Sequence, residues 1–79
     1  MSNVHFTGDE EVALQNPYFV SEIKQYRKRL RKLSNPEVLS ECISSAQRGG
    51  TTREVMGFRS LQKRYAEQEV LSRMTKNKN

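Results

Sequence analysis

Apolar and polar positions alternate with the period of an α-helix over most of this chain. The clearest case is a predicted helix from Pro17 to Leu33, whose five inward apolar residues share an arc of roughly 80° at about 100° per residue. Asn16 can cap its start, and proline suits the first position because the missing amide hydrogen would have no partner there. The pattern predicts a strongly amphipathic helix with the apolar stripe Phe19, Ile23, Tyr26, Leu30 and Leu33.

Three further helices are predicted from capping boxes, in which Ser or Thr precedes Glu by three residues. Thr7 opens a short helix of about eight residues, and Ser34 opens one of about 13 residues that ends at Gly49-Gly50. Thr51 opens the longest helix, which is predicted to run to Arg73. No segment alternates with the two-residue period of a β-strand.

The last helix contains two departures from a regular inward stripe. Gly57 costs about 1 kcal/mol relative to alanine within a helix, and a close helix crossing would account for it. Beyond Glu67 the apolar residues Val70, Leu71 and Met74 leave the stripe, so the last turns are expected to project and to pair with another chain. The predicted inward residues are Val38, Leu39, Cys42, Ile43 and Ala46 in the third helix and Val55, Phe58, Leu61, Tyr65 and Ala66 in the fourth.

The predicted fold is all-α, a small bundle of three main helices with a short additional N-terminal helix. We expect an irregular arm over residues 1–6, a single helical domain over 7–74 and a disordered basic tail over 75–79. A chain of 79 residues has one small core and little room for a deep substrate cavity.

Positive charge is concentrated in residues 24–32, KQYRKRLRK, where six of the nine residues are Lys or Arg and none is acidic. The chain has 14 basic and 9 acidic residues, so leaving this segment out changes the net charge from +5 to −1. Three like-charge pairs lie four positions apart and together cost an isolated helix about 1 kcal/mol, which indicates an anionic ligand. The residues predicted to bind nucleic acid are Lys24, Arg27, Lys28, Arg29, Arg31 and Lys32.

A phosphate-binding turn is predicted just before the last helix. Amides at a helix N-terminus favour anions, glycine allows close approach, and two threonine hydroxyls with two arginines could complete a clamp. The simpler alternative is a helix connection with good caps. The predicted residues are Arg48, Gly50, Thr51, Thr52 and Arg53.

The same region also suggests a helix-turn-helix that reads a DNA major groove. Two positions that this motif requires to be apolar are occupied by Thr51 and Arg59, which argues against a standard unit. The residues that would contact base edges in that interpretation, here called its readers, are Thr52, Arg53, Met56, Arg59, Ser60 and Lys63.

Catalysis and metal binding are not expected from this sequence. His5 lies in the unpatterned arm and Cys42 on an apolar helix face, so no nucleophile is paired with a base. One thiol and one histidine cannot form a zinc or iron–sulfur site, and phosphate-loop and dinucleotide motifs are absent. We therefore expect a protein that is not an enzyme and has no cofactor.

The leading hypothesis is a small basic helical protein that binds DNA or RNA mainly through phosphate contacts, in a regulatory or structural role. The alternative is a small adaptor or inhibitor of bacterial or phage type that docks on an acidic surface of a larger protein complex, with Val70, Leu71 and Met74 at the interface. A homodimer through the C-terminal helix would be compatible with both. The lone cysteine and the lack of a signal peptide or long apolar run predict a cytoplasmic, reducing location and no membrane partner.

Overall fold

The computed structural model of the protein describes residues 5–76, which form four α-helices and contain no strand. The helices are α1 (Gly8–Leu14), α2 (Pro17–Lys32), α3 (Asn35–Gln47) and α4 (Arg53–Lys76). The all-α prediction is confirmed. Helix α4 continues past its predicted end at Arg73 into the predicted tail, while residues 77–79 of that tail and residues 1–4 of the predicted arm lie outside the described residues.

Helix α4 is the centre of the fold, because it packs against each of the other three helices. Its most extensive partner is the short helix α1, which also packs against α2. One apolar cluster therefore joins α1, α2 and α4, and a second joins α2 and α4. The short N-terminal helix is thus a principal part of the core, whereas the sequence suggested an addition to a three-helix bundle. The buried members are Ala13, Ile23 and Leu61 in the first cluster and Tyr26, Leu30 and Ala66 in the second.

The helix starts follow the predicted caps, with one exception. The boxes that open α1 and α3 are present, and Asn16 caps α2. The box predicted at Thr51 is wrong, because the amide of Val55 donates to Thr52 Oγ1 at 3.2 Å. Glu54, the expected partner in that box, instead accepts from Asn16 Nδ2 at 3.0 Å. This contact ties the start of α4 to the start of α2.

Helix α1 lies so close to α4 that position 57 has no room for a side chain. A Cβ atom at Gly57 would overlap the backbone carbonyl of Asp9 on α1. The close helix crossing suggested by this glycine is confirmed, and the contact it permits offsets the lower helix propensity of glycine.

A buried carboxylate fastens α1 to α4. Glu10 is 1% exposed and accepts hydrogen bonds from Thr7 N at 2.9 Å and Ser60 Oγ at 2.8 Å. Arg64 donates to the same carboxylate from Nε at 3.2 Å and from Nη2 at 2.7 Å. Burial raises the pKa of Glu10, but the hydrogen bonds and the charge of Arg64 outweigh it and hold the pKa below the usual 4.5. The group therefore stays ionised inside the protein.

The inward face of α3 differs from the predicted one. Val38 is buried and Cys42 is half-buried, as expected, but three other members of the predicted face are exposed. Leu39 is 51% exposed, Ile43 is 64% exposed and Ala46 is also exposed. The prediction for these three residues was wrong, because the helix is turned toward its polar side.

Hydrogen bonds to buried and half-buried polar groups explain this orientation of α3. Glu41 accepts from the Tyr26 hydroxyl of α2 at 2.5 Å and pairs with Arg48 at 2.9 Å. Ser45 is also turned inward and donates to the carbonyl of Cys42 at 2.9 Å. Burial, together with the hydrogen bond and negative charge of Glu41, raises the pKa of Tyr26, so the phenol remains a donor. Facing these groups inward exposes apolar residues on the neighbouring side.

The last turns of α4 are docked on the corner between α2 and α3, although they were expected to project. Arg73 Nη2 donates to the carbonyl of Leu30 at 3.0 Å and Nη1 to Asn35 Oδ1 at 2.8 Å. The Leu30 carbonyl also accepts from the cap amide of Leu33 at 3.3 Å, so Arg73 adds a second donor at the end of α2. Leu71 and Met74 are nevertheless 60% and 62% exposed.

We predict that Glu10→Gln lowers the free energy of unfolding by about 3 kcal/mol at pH 7, because it leaves Arg64 without its buried counter-charge. The folded-state pKa of Glu10 is lowered, so its stabilisation is present above pH 4.5 and is lost as the pH falls through the folded pKa. The difference between wild type and variant should therefore shrink below pH 4.5. Urea unfolding at several pH values measures both effects.

Glu11→Gln is the matched control, because Glu11 is exposed on the same helix. It should change stability by only a few tenths of a kcal/mol. Equal losses in the two variants would contradict the assigned role of Glu10.

Candidate nucleic-acid interface

All six residues predicted to bind nucleic acid are exposed on α2, five of them on its outer face and Arg29 at the margin of that face. The opposite face is fixed in the core by Ile23, Tyr26 and Leu30. Within residues 5–76, none of the six cations has a carboxylate oxygen within 4.0 Å. This surface, which we call the α2 basic face, consists of Lys24, Arg27, Lys28, Arg29, Arg31 and Lys32.

Four of the five arginines elsewhere in the described chain form ion pairs, and Arg59 is the exception. Three of these pairs join different parts of the fold: α1 with α4 twice, and α3 with the turn that follows it. The acidic side chains are therefore used to hold the fold together, and the α2 basic face keeps its positive charge. The pairs are Arg48 with Glu41 at 2.9 Å, Arg53 with Asp9 at 3.0 Å, Arg64 with Glu10 at 2.7 Å and Arg73 with Glu69 at 2.8 Å.

Two arginines of the α2 basic face are held against aromatic rings. Arg27 Cζ lies 4.5 Å from the centroid of the Tyr65 ring, and Arg29 Cζ lies 5.4 Å from that of Tyr26. Stacking restricts a guanidinium group without using its hydrogen-bond donors. The two side chains therefore lose less conformational freedom when they bind an anion.

A polar groove borders the α2 basic face on the side of α4. Its wider part, of about 680 Å³, runs past Arg31, Ser72 and Arg73, and a narrower part of about 160 Å³ runs past Arg27 and Gln68. Gln68 and Ser72 are exposed and can donate or accept hydrogen bonds. A nucleic-acid strand bound along α2 would contact Gln68 and Ser72 at the edge of the α2 basic face.

The predicted phosphate-binding turn is committed to contacts within the protein. Arg48 pairs with a carboxylate on α3 and Arg53 with one on α1. Thr52 Oγ1 accepts from an amide of α4, and Gly50 lies so tightly against the start of α4 that a Cβ atom there would collide with it. Thr51 is exposed. This turn therefore caps the start of α4. Its two arginines are paired with different carboxylates, so they are not arranged around one shared anion.

The helix-turn-helix interpretation meets a similar difficulty. Four of its six readers make side-chain contacts inside the protein. These contacts are Thr52 with the amide of Val55, Arg53 with Asp9, Ser60 with Glu10, and Arg59 with Gln62. Met56 and Lys63 are exposed. The surface of α4 that would enter a major groove is therefore partly used for packing.

Two of the three residues of the predicted protein interface line a groove together with Leu39, which the sequence assigned to the core, while Leu71 is not in its lining. Val70 is half-buried and Met74 is exposed, and together with Leu39 of α3 they line a groove of about 230 Å³. Ile43 lies four residues beyond Leu39 and is also exposed. Leu39 and Ile43 were predicted to be buried because the prediction relied only on their apolar character.

The described residues contain no group of three or more His, Cys, Asp or Glu side chains arranged to hold a metal ion. None of the helices in residues 5–76 has the length and apolar character needed to cross a membrane. Comparisons with protein-family models, curated proteins and solved structures gave no match for this chain. The α2 basic face is therefore the main basis for a functional proposal.

We predict that Lys28→Glu stabilises the fold by roughly 1 kcal/mol at low salt, because it replaces like-charge contacts with Lys24 and Lys32 by opposite-charge contacts. The gain should largely disappear in 1 M salt, where the Debye length is about 3 Å. Thermal unfolding at the two salt concentrations measures it.

Lys63→Glu is the matched control, since Lys63 has Arg59 on one side and Glu67 on the other at four-residue spacing. Its two changes at four-residue spacing cancel, so any gain in stability should be smaller than that of Lys28→Glu. A loss of stability in Lys28→Glu would contradict the view that the α2 basic face is unfavourable for folding.

Proposed function

We propose that this protein binds nucleic acid through phosphate contacts made by the α2 basic face, in a regulatory or structural role and not as an enzyme. The observation that supports this most directly is the contrast in charge pairing. Six cations share one exposed face without a carboxylate within 4.0 Å in the described chain, whereas four other arginines are neutralised. A surface that keeps its charge at a cost to stability is typical of a binding site for a polyanion.

The spacing of the cations suits a phosphate backbone. Lys24 and Arg31 lie about 10 Å apart along the axis of α2, at 1.5 Å per residue. Phosphates of one DNA strand recur every 3.4 Å or so along the duplex axis, so the face spans about three of them on each strand that it reaches. Such contacts position a protein without reading sequence. A cytoplasmic, reducing location, which the lone cysteine suggests, is part of this proposal.

We predict a log–log salt slope of roughly −3 to −5 for binding to duplex DNA, which corresponds to about four to six phosphates. The double variant Lys24→Gln and Lys28→Gln should make this slope less steep by about 2, because each lysine accounts for nearly one released counterion. Fluorescence anisotropy between about 50 and 200 mM salt provides the measurement.

The matched control is Lys76→Gln with Lys78→Gln, which removes the same residue type and the same charge at the C-terminal end of the chain. Its slope should equal that of wild type. Binding that does not depend on salt, or that survives alanine at Lys24, Arg27, Lys28 and Arg31 together, would refute the proposed function. The same anisotropy measurement with RNA of equal length shows which of the two nucleic acids the protein prefers.

The second candidate is a small adaptor or inhibitor that docks on an acidic surface of a larger protein complex. It is favoured by the apolar groove formed by Leu39, Val70 and Met74, because contiguous exposed apolar residues often mark protein interfaces. The α2 basic face would then contact the acidic partner. Truncation after Glu67 is a poor test, since it would remove Arg73 and its bonds to the end of α2.

For this candidate we predict that Leu39→Ser with Met74→Ser abolishes retention of a protein that co-purifies at low salt, while duplex binding is unchanged. Tyr18→Ser is the control, because Tyr18 is 65% exposed outside the groove. Partner retention that needs Tyr18 but not the groove would refute the assignment. Dimers in sedimentation equilibrium, lost in the groove variant, would identify a second copy of the chain as the occupant.

A further inference from the structure

A second groove, whose exposed wall is largely apolar but which is bordered by three cations, lies beside the turn between α3 and α4. It has a volume of about 330 Å³ and is lined by Arg48, Arg59 and Lys63 together with Gly49 and Met56. A Cβ atom at Gly49 would have no neighbour within 4 Å, so the groove is open on this side. This groove shares Arg48 and Gly50 with the predicted phosphate-binding turn, but its other two cations come from the body of α4.

Two guanidinium groups converge on one neutral acceptor at this groove. Arg48 Nη1 and Arg59 Nη1 both donate to Gln62 Oε1, each at 3.2 Å. Gln62 is 6% exposed, so water has little access to its side chain. Like charges held together in a partly dry site repel one another unless an anion lies nearby.

The carboxylates near this groove do not neutralise its three cations. Arg48 has the carboxylate of Glu41 at 2.9 Å. In the part of the chain that the structure describes, neither Arg59 nor Lys63 has a carboxylate oxygen within 4.0 Å. The groove therefore has three cations and one directly paired carboxylate.

Arg59 also carries a donor that no group of the protein satisfies. Its Nε atom is shielded from solvent and has no hydrogen-bond partner, which is true of no other buried side-chain nitrogen or oxygen among the described residues. A shielded charged donor without an acceptor is rare in proteins and calls for an explanation. A small movement of the guanidinium toward the groove would offer its donors to an anion in place of the neutral Gln62 oxygen.

We propose that this groove binds a phosphate group, with Arg59 and Lys63 as the principal contacts and Arg48 as a third cation held in place by Glu41. A phosphate supplies several charged oxygens, which match the fork of an arginine and form stronger hydrogen bonds than an amide oxygen does. The phosphate comes either from a small free molecule or from a nucleic-acid backbone. This site does not depend on the function proposed for the α2 basic face.

The groove is nevertheless connected to that face through a chain of contacts. Arg29 stacks over the Tyr26 ring, and the Tyr26 hydroxyl donates to Glu41. Glu41 in turn pairs with Arg48 at the groove. A backbone bound along α2 could therefore place a further phosphate in the groove.

The test is a titration of the full chain with inorganic phosphate, followed by ¹H–¹⁵N spectra that include the arginine Nε–Hε signals. We expect saturable shifts at Arg59 Nε and at the amides of Gly49 and Gly50. Arg59→Gln should abolish them, and Lys63→Gln, at an exposed position, should weaken binding about tenfold. Chloride at the same ionic strength should produce no saturable shift.

Two controls separate this site from the other basic surfaces. Arg53→Gln removes a neighbouring arginine that is paired with Asp9, and Lys24→Gln with Lys28→Gln weakens the α2 basic face. Both should bind phosphate as wild type does. Unchanged phosphate binding in Lys63→Gln and Arg59→Gln, or identical shifts with chloride, would overturn the proposal.

A competition experiment identifies the source of the phosphate. If a short DNA duplex displaces inorganic phosphate from the groove, the backbone is the ligand, and Lys63→Gln should then reduce the salt slope by about 1. If phosphate remains bound in the presence of the duplex, the ligand is a small phosphorylated molecule. If Lys24→Gln with Lys28→Gln loses duplex binding but still binds phosphate, the result tests only the function proposed for the α2 basic face.

Discussion

The contact between Glu10 and Arg64 is the interaction on which the rest of the fold depends. Helix α1 has seven residues and would not persist alone in water, because short helices gain too little to offset nucleation. The buried carboxylate and the close approach at Gly57 hold it against α4. Ala13 of α1 then completes the apolar cluster that fixes Ile23 of α2. The position of α2 therefore depends on an ion pair located outside the proposed binding surface.

The distribution of carboxylates determines where positive charge remains. Two of the four carboxylates that form ion pairs join separate helices, since Asp9 and Glu10 both connect α1 to α4. Helix α2 contains the carboxylate of Glu22, but no side-chain carboxylate of the described chain pairs with its basic face. The charge of that face is therefore a property of the folded arrangement as well as of composition. The same reasoning applies to the groove at Arg59, because the carboxylate of Glu41 is already paired with Arg48.

The sequence predicted those features that depend on local pattern. The apolar stripe of α2, the inward residues of α4 and the capping boxes of α1 and α3 follow from spacing within one helix. The face of α3 could not be predicted in this way, since its orientation depends on Tyr26 and Arg48, and hydrophobicity alone favoured Leu39 and Ile43. The partner of Glu10 lies 54 residues away, so no local signal identifies it. The groove at Arg59 was missed for the same reason.

The contact of Arg73 with the end of α2 has a consequence for how the protein is made. Synthesis proceeds from the N-terminus, so residues 17–32 leave the ribosome long before Arg73 does. Until then the carbonyl of Leu30 lacks Arg73 and can accept only from the cap amide of Leu33. Helix α4, which packs against every other described helix, emerges after α1, α2 and α3. The α2 basic face therefore reaches its packed arrangement only after residues 53–76 have left the ribosome.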